Sequence, residues 1–271
     1  MGFGAGAAMP ELPDVAAMKR YLDATSLHQH VADVWVGRDY VLKGTGPERL
    51  REALAGRAFE SSTRHGKNLL IETDGEPWLR LHFGMTGNLK YFKQLEDEPG
   101  HVRVRFAFGN GYHLAYDCQR MLGRVSLEDG PAEFVEAHDL GPDALSVSRD
   151  EFERIMSGRR GGLKRTLMNQ HIIAGLGNVY VDEVLFQARL HPETTIDRLS
   201  DEELKGLYEA IRRVLKTSIE PGSDARDLPS DYLIHHRGEG EPCPRCSAEI
   251  CRIKTGQRST YFCPECQPRR D

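Results

Sequence analysis

The sequence predicts an α+β fold, in which an N-terminal helix and a β-sandwich domain precede a helical domain that ends in a β-hairpin. Three observations predict it: a helical apolar period near the start, short alternating runs in the middle, and a return to helical periodicity after Gly141. A chain of 271 residues accommodates two modest domains, since single domains usually hold about 100 to 200 residues. We expect an extension at 1–8, a sandwich domain at 9–140, a helical domain at 141–235 and a cysteine-bearing module at 236–271.

The first domain is predicted to begin with a helix and continue as strands. Apolar residues between Leu12 and Leu22 recur at steps of three and four, the period of an amphipathic helix. Later runs alternate, or are rich in β-branched and aromatic residues, and lie between Gly, Asp and Pro. These predicted strands are Val31 to Val41, Asn68 to Thr73, Trp78 to Phe83, Val102 to Phe108, Tyr112 to Tyr116 and Arg124 to Leu127.

The second domain is predicted to be helical before its cysteine module. A helical pattern is present in four segments, which are Ser148 to Ser157, Gly162 to Asn169, Asn178 to Ala188 and Ser200 to Ser218. Ser200 followed by Glu203 is the pattern of a capping box, which favours a helix start at that point.

Composition excludes some classes of protein. No window approaches the roughly 20 apolar residues that a membrane span requires, and residues 1–8 lack the basic and apolar regions of a secretion signal. We therefore expect a cytoplasmic protein. The net charge of −5 counts against nucleic-acid binding, but the stretches around Arg159, Lys164 and Arg258 contain few acids, so a local basic surface remains compatible with the sequence.

The cysteine spacing predicts a zinc site. Cys243, Cys246, Cys263 and Cys266 form two CxxC pairs whose separation suits a four-cysteine site on a β-hairpin. Two disulfides are the alternative, favoured in a secreted protein. We expect one structural Zn²⁺. The hairpin tip contains Arg258, and its cations and hydroxyls suit either phosphate contacts or a solvated turn.

Met9-Pro10-Glu11 suggests covalent chemistry. Removal of Met9 would leave Pro10 with a free secondary amine, and an α-amino group titrates near pH 7.7 to 8.0, so an appreciable neutral and nucleophilic fraction is present at pH 7. Proline followed by an acid is also a common helix start.

The order of several motifs identifies a family. The chain contains MPELPDV from Met9, HGKNLL from His65, AGLGNVY from Ala174 and then CPRC and CPEC. Over Met9 to Gln267 it thereby resembles the formamidopyrimidine-DNA glycosylase and endonuclease VIII family. The resemblance implies a catalytic N-terminal domain, a helix-two-turn-helix element in the second domain, and a monomer that binds damaged double-stranded DNA in the cytoplasm, at the nucleoid.

The resemblance also implies a reaction. Pro10 would attack the sugar C1′, expel an oxidised base and form a Schiff base, after which β- and δ-elimination cut the DNA. Glu11 would donate and accept protons, and Lys67 would contact the phosphate beside the lesion. Because translation from Met1 would bury the nitrogen of Pro10 in a peptide bond, we expect the true start to be Met9.

Further residues are expected to contact DNA. Met85 and Arg120 match the residues that fill the space left by an extruded base, with Met121 or Leu122 as a third wedge residue. In the helix-two-turn-helix element, Lys164 would lie on a basic helix, and Gly175 and Gly177 would let backbone amides approach a phosphate. Other expected phosphate contacts are Asn178 and Arg258.

Two alternatives stay open. A damaged-DNA binder that cannot form the Schiff base would keep the same fold and is compatible with residues 1–8. A zinc-ribbon transcription factor would account for the cysteines, but not for MPELPDV. The sequence departs from the family pattern at Asp14, where glutamate is usual, and in the loop from Gly222 to Asp227. These departures leave the preferred lesion open. We expect a broad range of lesions that includes oxidised pyrimidines.

Overall fold

The computed structural model describes residues 9–220 and 227–269. The expected extension at 1–8 and most of the loop from Gly222 to Asp227 lie outside these ranges. Within the described residues, no helix combines the length and apolar character needed to cross a membrane. Contacts divide the chain into two units. The first contains residues 9–10 and 14–139, and the second contains residues 11–13 together with the chain from Leu140 onward.

Most strands lie in the first unit and most helices in the second, as the predicted α+β class implies. The helices are α1 (Leu12–Ser26), α2 (Pro47–Leu54), α3 (Pro131–Ala137), α4 (Arg149–Met156), α5 (Leu163–Leu167), α6 (Asn178–Gln187) and α7 (Asp201–Ile219). The strands are β1 (Val31–Val36), β2 (Leu42–Lys43), β3 (Phe59–His65), β4 (Asn68–Thr73), β5 (Gly75–His82), β6 (Gly87–Phe92), β7 (Val102–Phe108), β8 (His113–Cys118), β9 (Arg124–Glu128), β10 (Cys251–Thr255) and β11 (Arg258–Phe262).

The first unit is a two-sheet sandwich. One sheet has the order β1-β7-β8-β6 and the other has the order β2-β9-β5-β4-β3, with β2 parallel to β9. Side chains of both sheets, such as Ile71, Leu81, Phe106 and Tyr116, share one buried cluster with Val15 of α1. The predicted sandwich is confirmed, and its core is built from the alternating positions of the strands.

Several elements differ from the prediction. The run from Val31 to Val41 is not one strand, because the chain leaves the sheet after Val36 and forms a 3₁₀ turn at Asp39–Val41. The sequence patterns also did not predict α2, α3, β2, β3 and β6. β3 has only one fully buried side chain, Phe59, so its hydrophobic alternation is weak.

The second unit is helical and ends in the predicted hairpin. Helices α4 to α7 surround an apolar cluster that contains Phe152, Val184 and Leu215. The predicted capping box is present, since Ser200 and Glu203 each accept the backbone N–H of the other. Next to the hairpin β10-β11 lies a small separate cluster, in which Phe186 of α6 and Leu233 pack with Cys243, Ile250 and Cys263.

Candidate active site

The Glu11 carboxylate is fixed at the start of α6. Oε1 accepts the backbone N–H of Val179 (2.9 Å) and Oε2 accepts that of Tyr180 (3.2 Å). Only 1% of Glu11 is exposed. These N–H groups belong to the first turn of α6 and have no partner within the helix, so they and the helix dipole favour a negative charge there. Pro10, half-buried, immediately precedes this carboxylate.

Two glycines make room for this arrangement. A Cβ on Gly177 would lie 2.3 to 2.6 Å from the Glu11 carboxyl group, and one on Gly175 would lie 2.4 Å from the Leu12 side chain. Gly175 also has a φ of +115°, which favours glycine. The sequence predicts that these glycines let backbone amides approach a phosphate. In the structure they admit residues 11 and 12 of the same chain, while the phosphate contact stays a prediction.

Lys67 lies in a cationic corner of the sandwich. It follows Gly66 in the turn between β3 and β4, and it is half-buried. Arg80 on β5 donates through Nε and Nη2 to Asn68 Oδ1 at 3.0 and 2.9 Å. His82 is opposite both Asn68 and Arg124 in the sheet, and the positive charges of Arg80, Lys67 and Arg124 all act on its ring.

His82, which is not among the predicted site residues, has an unusual environment. Burial is the main reason that its pKa falls to about 4, and the nearby charges of Arg80, Lys67 and Arg124 lower it further. The ring is therefore neutral at pH 7. Its Nδ1 accepts the backbone N–H of Gly84 (3.2 Å), so the proton resides on Nε2, which is a hydrogen-bond donor. No sequence pattern indicated this, because it arises from cross-strand neighbours.

The loops predicted to carry the wedge residues lie together in the first unit. Gly84, one residue before Met85, is so close to the other loop that a Cβ on it would lie 2.4 Å from the Leu122 carbonyl carbon. The backbone N–H of Arg120 donates to Thr86 Oγ1 (3.0 Å), and Arg120 itself is exposed. The structure thus brings the two predicted wedge loops into contact.

The two candidates for a third wedge residue differ in exposure. Met121 packs against the sandwich core, whereas Leu122 is 41% exposed. An intercalating side chain must be accessible to the base stack. Leu122 is therefore the better candidate.

Lys164 has a different place from the one predicted. Its side chain is fully buried, and Nζ donates to Asp182 Oδ1 (2.5 Å) and Thr260 Oγ1 (2.8 Å). Burial lowers the pKa of Lys164, and the charge of Asp182 opposes this shift. Asp182 Oδ2 also accepts Arg237 Nη2 (2.8 Å) and the Tyr261 N–H (3.2 Å). The prediction that Lys164 contacts DNA is wrong for this structure, because a buried, paired ammonium group is not available to a phosphate.

The remaining predicted contacts, Asn178 and Arg258, lie near the hairpin. Asn178 Nδ2 donates to the Ser259 carbonyl (3.0 Å), and Ser259 is the neighbour of Arg258 on β11. Arg258 is exposed. The structure therefore links the first residue of α6 to the strand that carries Arg258.

The predicted zinc ligands converge. The four Sγ atoms of Cys243, Cys246, Cys263 and Cys266 lie within 4.8 Å of one another. Measured separations include 3.9 Å for Cys243–Cys266 and 3.5 Å for Cys246–Cys263, close to the roughly 3.8 Å that a tetrahedron of 2.3 Å Zn–S bonds requires. A structural Zn²⁺ fits this set of thiolates, and the disulfide alternative does not describe it, since the cysteines are free.

Comparisons with known proteins cover the same three regions. The formamidopyrimidine-DNA glycosylase N-terminal domain matches residues 9–125, the formamidopyrimidine-DNA glycosylase H2TH domain matches residues 140–228, and the zinc finger found in FPG and IleRS matches residues 240–269. H2TH is the helix-two-turn-helix element. Together these matches span most of the described residues.

Two relatives with this family's name are similar to the chain over nearly their whole length. Formamidopyrimidine-DNA glycosylase of Chloroflexus aurantiacus is 37% identical, with 96% of this chain and 98% of the relative covered. The protein of that name from Streptococcus pyogenes serotype M6 is 34% identical, with 97% and 100% covered.

Solved structures agree with the fold. MutM in complex with DNA containing carbocyclic 8-oxo-G is similar with a TM-score of 0.86 and 28% identity, over 96% of this chain and 100% of that one. Fpg of Lactococcus lactis in complex with DNA containing an abasic site has a TM-score of 0.87 and 27% identity, with the same coverage.

Proposed function

We propose that Pro10 is the nucleophile of this chain, which belongs to the formamidopyrimidine-DNA glycosylase family. As a member of that family the chain is a DNA repair glycosylase of oxidised bases. In this proposal the protein also cleaves the abasic site that it creates. The active form then begins at Pro10, since a proline nitrogen within a peptide bond has no available lone pair.

The first chemical step replaces one bond at C1′ by another. The Pro10 nitrogen bonds to C1′, the bond from C1′ to the damaged base breaks, and the base leaves with the electron pair and takes up a proton. Glu11 supplies and accepts protons during this exchange. The Pro10 nitrogen then loses its proton, and its lone pair forms a second bond to C1′ while the C1′–O4′ bond breaks and O4′ takes up a proton. The product is an iminium Schiff base between Pro10 and the opened sugar.

The Schiff base then permits strand cleavage. It acidifies the proton at C2′, whose removal expels the 3′ phosphate by β-elimination, and a second elimination expels the 5′ phosphate. Each elimination breaks one C–O bond and forms one C=C bond, so no oxidant or reductant is needed. This provides the lyase activity.

The observation that carries the proposal is the position of the Glu11 carboxylate. It adjoins Pro10 in sequence, is 1% exposed and receives two N–H groups from α6. An acid at an ordinary helix start points to solvent and caps its own helix, whereas Glu11 caps α6, far away in sequence. Gly177 leaves the space that the carboxyl group occupies.

Other residues have proposed roles in holding DNA. Lys67, Asn178 and Arg258 contact phosphates, and Met85 and Arg120 fill the space left by the extruded base. Base extrusion costs a few kcal/mol, and wedge side chains offset that cost. We add Leu122 as the third wedge residue, on the basis of its exposure. The expected range of lesions includes oxidised pyrimidines.

A borohydride trapping experiment tests the nucleophile. A protein that begins at Met9 and is processed to Pro10 should form a covalent adduct with a duplex containing an abasic site, and peptide mapping should locate the adduct on Pro10. Pro10→Gly should weaken trapping. Glu11→Gln should abolish base removal while sparing cleavage at a preformed abasic site.

The control is the 1–271 protein with its N-terminus verified by mass spectrometry. It should form no adduct, because its Pro10 nitrogen is an amide. An adduct formed by this intact protein would exclude Pro10 as the nucleophile. Failure of both proteins to trap, with tight binding of damaged duplex, would support the alternative of a non-catalytic damaged-DNA binder.

A further inference from the structure

The side chain of Gln170 connects three backbone groups of the helix-two-turn-helix element. Its Oε1 accepts the N–H of Gly175 (2.9 Å), and its Nε2 donates to the carbonyl oxygens of Leu176 (2.8 Å) and Met168 (2.9 Å). Both amide hydrogens are therefore used, together with one lone pair. The side-chain amide thus accepts one hydrogen bond from residue 175 and donates one to residue 176, as a backbone peptide group could.

The backbone that Gln170 holds is the one that contacts the N-terminal residues. The Gly175 carbonyl accepts the N–H of Leu12 (3.2 Å), and Gly177 borders the carboxyl group of Glu11. Gly175 and Leu176 are buried, so their polar groups need protein partners. Without Gln170, the Gly175 N–H and the Leu176 carbonyl would lose the partners that fix residues 175–177.

We propose that Gln170 is a positioning residue for base removal. It acts by fixing the turn at 175–177 against Glu11 and Leu12. The proposal rests on the proposed function, in which Glu11 handles the proton during base removal. Gln170 does not touch DNA in this role. It keeps the carboxylate against the first amides of α6 with the orientation that proton transfer requires.

This role predicts a separation of two activities. Misplacement of a catalytic group by about 1 Å can cost on the order of 100-fold in rate, and base removal depends on Glu11. Cleavage at a preformed abasic site depends mainly on the Pro10 amine. Loss of Gln170 should therefore slow base removal much more than abasic-site cleavage, whereas a residue important only for folding would affect both equally.

The experiment uses Gln170→Met, which preserves side-chain length and removes the hydrogen bonds. Single-turnover rates are measured on a duplex containing 8-oxoguanine and on a duplex containing a preformed abasic site. We expect base removal to fall at least about tenfold and abasic-site cleavage to change by no more than about twofold. The retained cleavage also reports that the variant is folded.

The matched control is Gln187→Met, at the end of α6. Gln187 donates to Glu183 Oε1 (2.8 Å) and accepts from Arg245 Nη2 (3.2 Å), and neither hydrogen bond involves residues 175–177. Its substitution should leave the ratio of the two rates unchanged. An equal loss of both rates in Gln170→Met, or no loss of either, would overturn the proposed role of Gln170.

A second variant, Gln170→Glu, retains the acceptor for Gly175 and replaces the donor group. Its carboxyl group can donate one hydrogen bond to the Leu176 carbonyl only when protonated. Its rate of base removal relative to wild type should therefore rise as pH falls from 8 to 5, and a ratio that stays constant over this range would contradict the proposal.

The Glu11→Gln protein separates the two possible failures. Normal base removal by Glu11→Gln would overturn the proposed function itself. Loss of base removal in Glu11→Gln, combined with wild-type rates in Gln170→Met, would overturn only the role of Gln170.

Discussion

At the residue scale, the environment of Glu11 depends on the absence of a side chain at Gly177. The carboxylate oxygens each receive a backbone N–H from α6, and hydrogen bonds to an ionised group are stronger than those between neutral groups. Any side chain at position 177 would compete with the carboxyl group for the same volume.

We therefore predict that Gly177→Ala selectively impairs base removal. The added Cβ would lie 2.3 Å from the Glu11 carboxyl carbon and would displace the carboxyl group. This displacement should lower the single-turnover rate on an 8-oxoguanine duplex by about 10- to 100-fold. The control is Gly206→Ala, because Gly206 lies within α7 and a Cβ there meets nothing within 4 Å. That control should keep full activity and gain about 0.5 to 1 kcal/mol of stability. Full activity of Gly177→Ala would show that the space beside Glu11 is not needed.

At the scale of elements, a buried ionic network links α5, α6 and β11. Lys164 on α5, Asp182 on α6 and Thr260 on β11 meet, and Arg237 also reaches Asp182. Removing one partner from a buried ion pair leaves the other charge without full compensation, which typically costs about 3 to 5 kcal/mol. The network thus attaches the hairpin to the helices.

Lys164→Ala should lower stability without removing a phosphate contact. We expect a loss of about 3 kcal/mol in the free energy of unfolding, measured by urea titration. The exposed Lys205→Ala on α7 should change stability by less than about 0.5 kcal/mol. Under conditions where Lys164→Ala is folded, the salt dependence of DNA binding should match wild type, whereas Arg258→Ala should flatten its logarithmic slope by about one unit. A flattened slope for Lys164→Ala, with wild-type stability, would restore the original prediction of DNA contact.

Zinc should determine whether the hairpin is folded. At sites of this kind the binding free energy of the metal is also folding free energy, and the cysteine module has only a small apolar cluster, shared with Phe186 of α6. Cys246→Ser should therefore lose bound zinc, as measured by elemental analysis, and bind damaged duplex much more weakly, because Arg258 is no longer held in place.

The control for zinc loss is Cys251→Ser, since Cys251 is outside the cluster of four thiols. It should retain one zinc ion and wild-type DNA affinity. The sandwich should stay folded in both variants, because its core is a separate cluster. Unchanged affinity of metal-free Cys246→Ser for damaged duplex would contradict a role of zinc in DNA binding.

At the scale of the whole molecule, stability should depend on the protonation of Glu183. Burial is the main reason that its pKa rises from 4.5 to about 7, with a smaller contribution from Asp231. Hydrogen bonds from Gln187 and from the Ile234 N–H, and the charge of Arg245, act in the opposite direction. The folded protein therefore retains a proton on Glu183 at pH values where the unfolded chain has lost it.

The sign of the effect follows from proton linkage. Because the folded state binds more protons between pH 4.5 and 7, this contribution to stability is present below pH 4.5 and is lost as pH rises through about 7. Glu183→Gln has no such dependence. The unfolding free energy of Glu183→Gln minus that of wild type should rise by about 3 kcal/mol between pH 4.5 and 8. The control is Glu209→Gln at an exposed position, for which the difference in unfolding free energy from wild type should not change with pH. If the difference for Glu183→Gln does not change with pH either, the shifted pKa of Glu183 is excluded.

Much of the fold could be predicted because it depends on local patterns. The period of α1, the capping box of α7 and the alternation of β7 are recorded in neighbouring residues, and these elements formed where expected. Short helices such as α2, with eight residues, and polar edge strands such as β3 carry weak patterns, so tertiary packing rather than local sequence decides them.

The sequence by itself determined which residue types can perform the chemistry: a Pro-Glu pair, four thiols at zinc-binding spacing, and cations in otherwise acid-poor stretches. Only the tertiary structure decided that Lys164 is buried, that Leu122 rather than Met121 is accessible, and that Gly177 accommodates Glu11. The physical reason is distance along the chain. Glu11 and Val179 are 168 positions apart, and whether a side chain meets solvent, a neighbouring charge or a helix end depends on such long-range contacts, which residue type and spacing do not record.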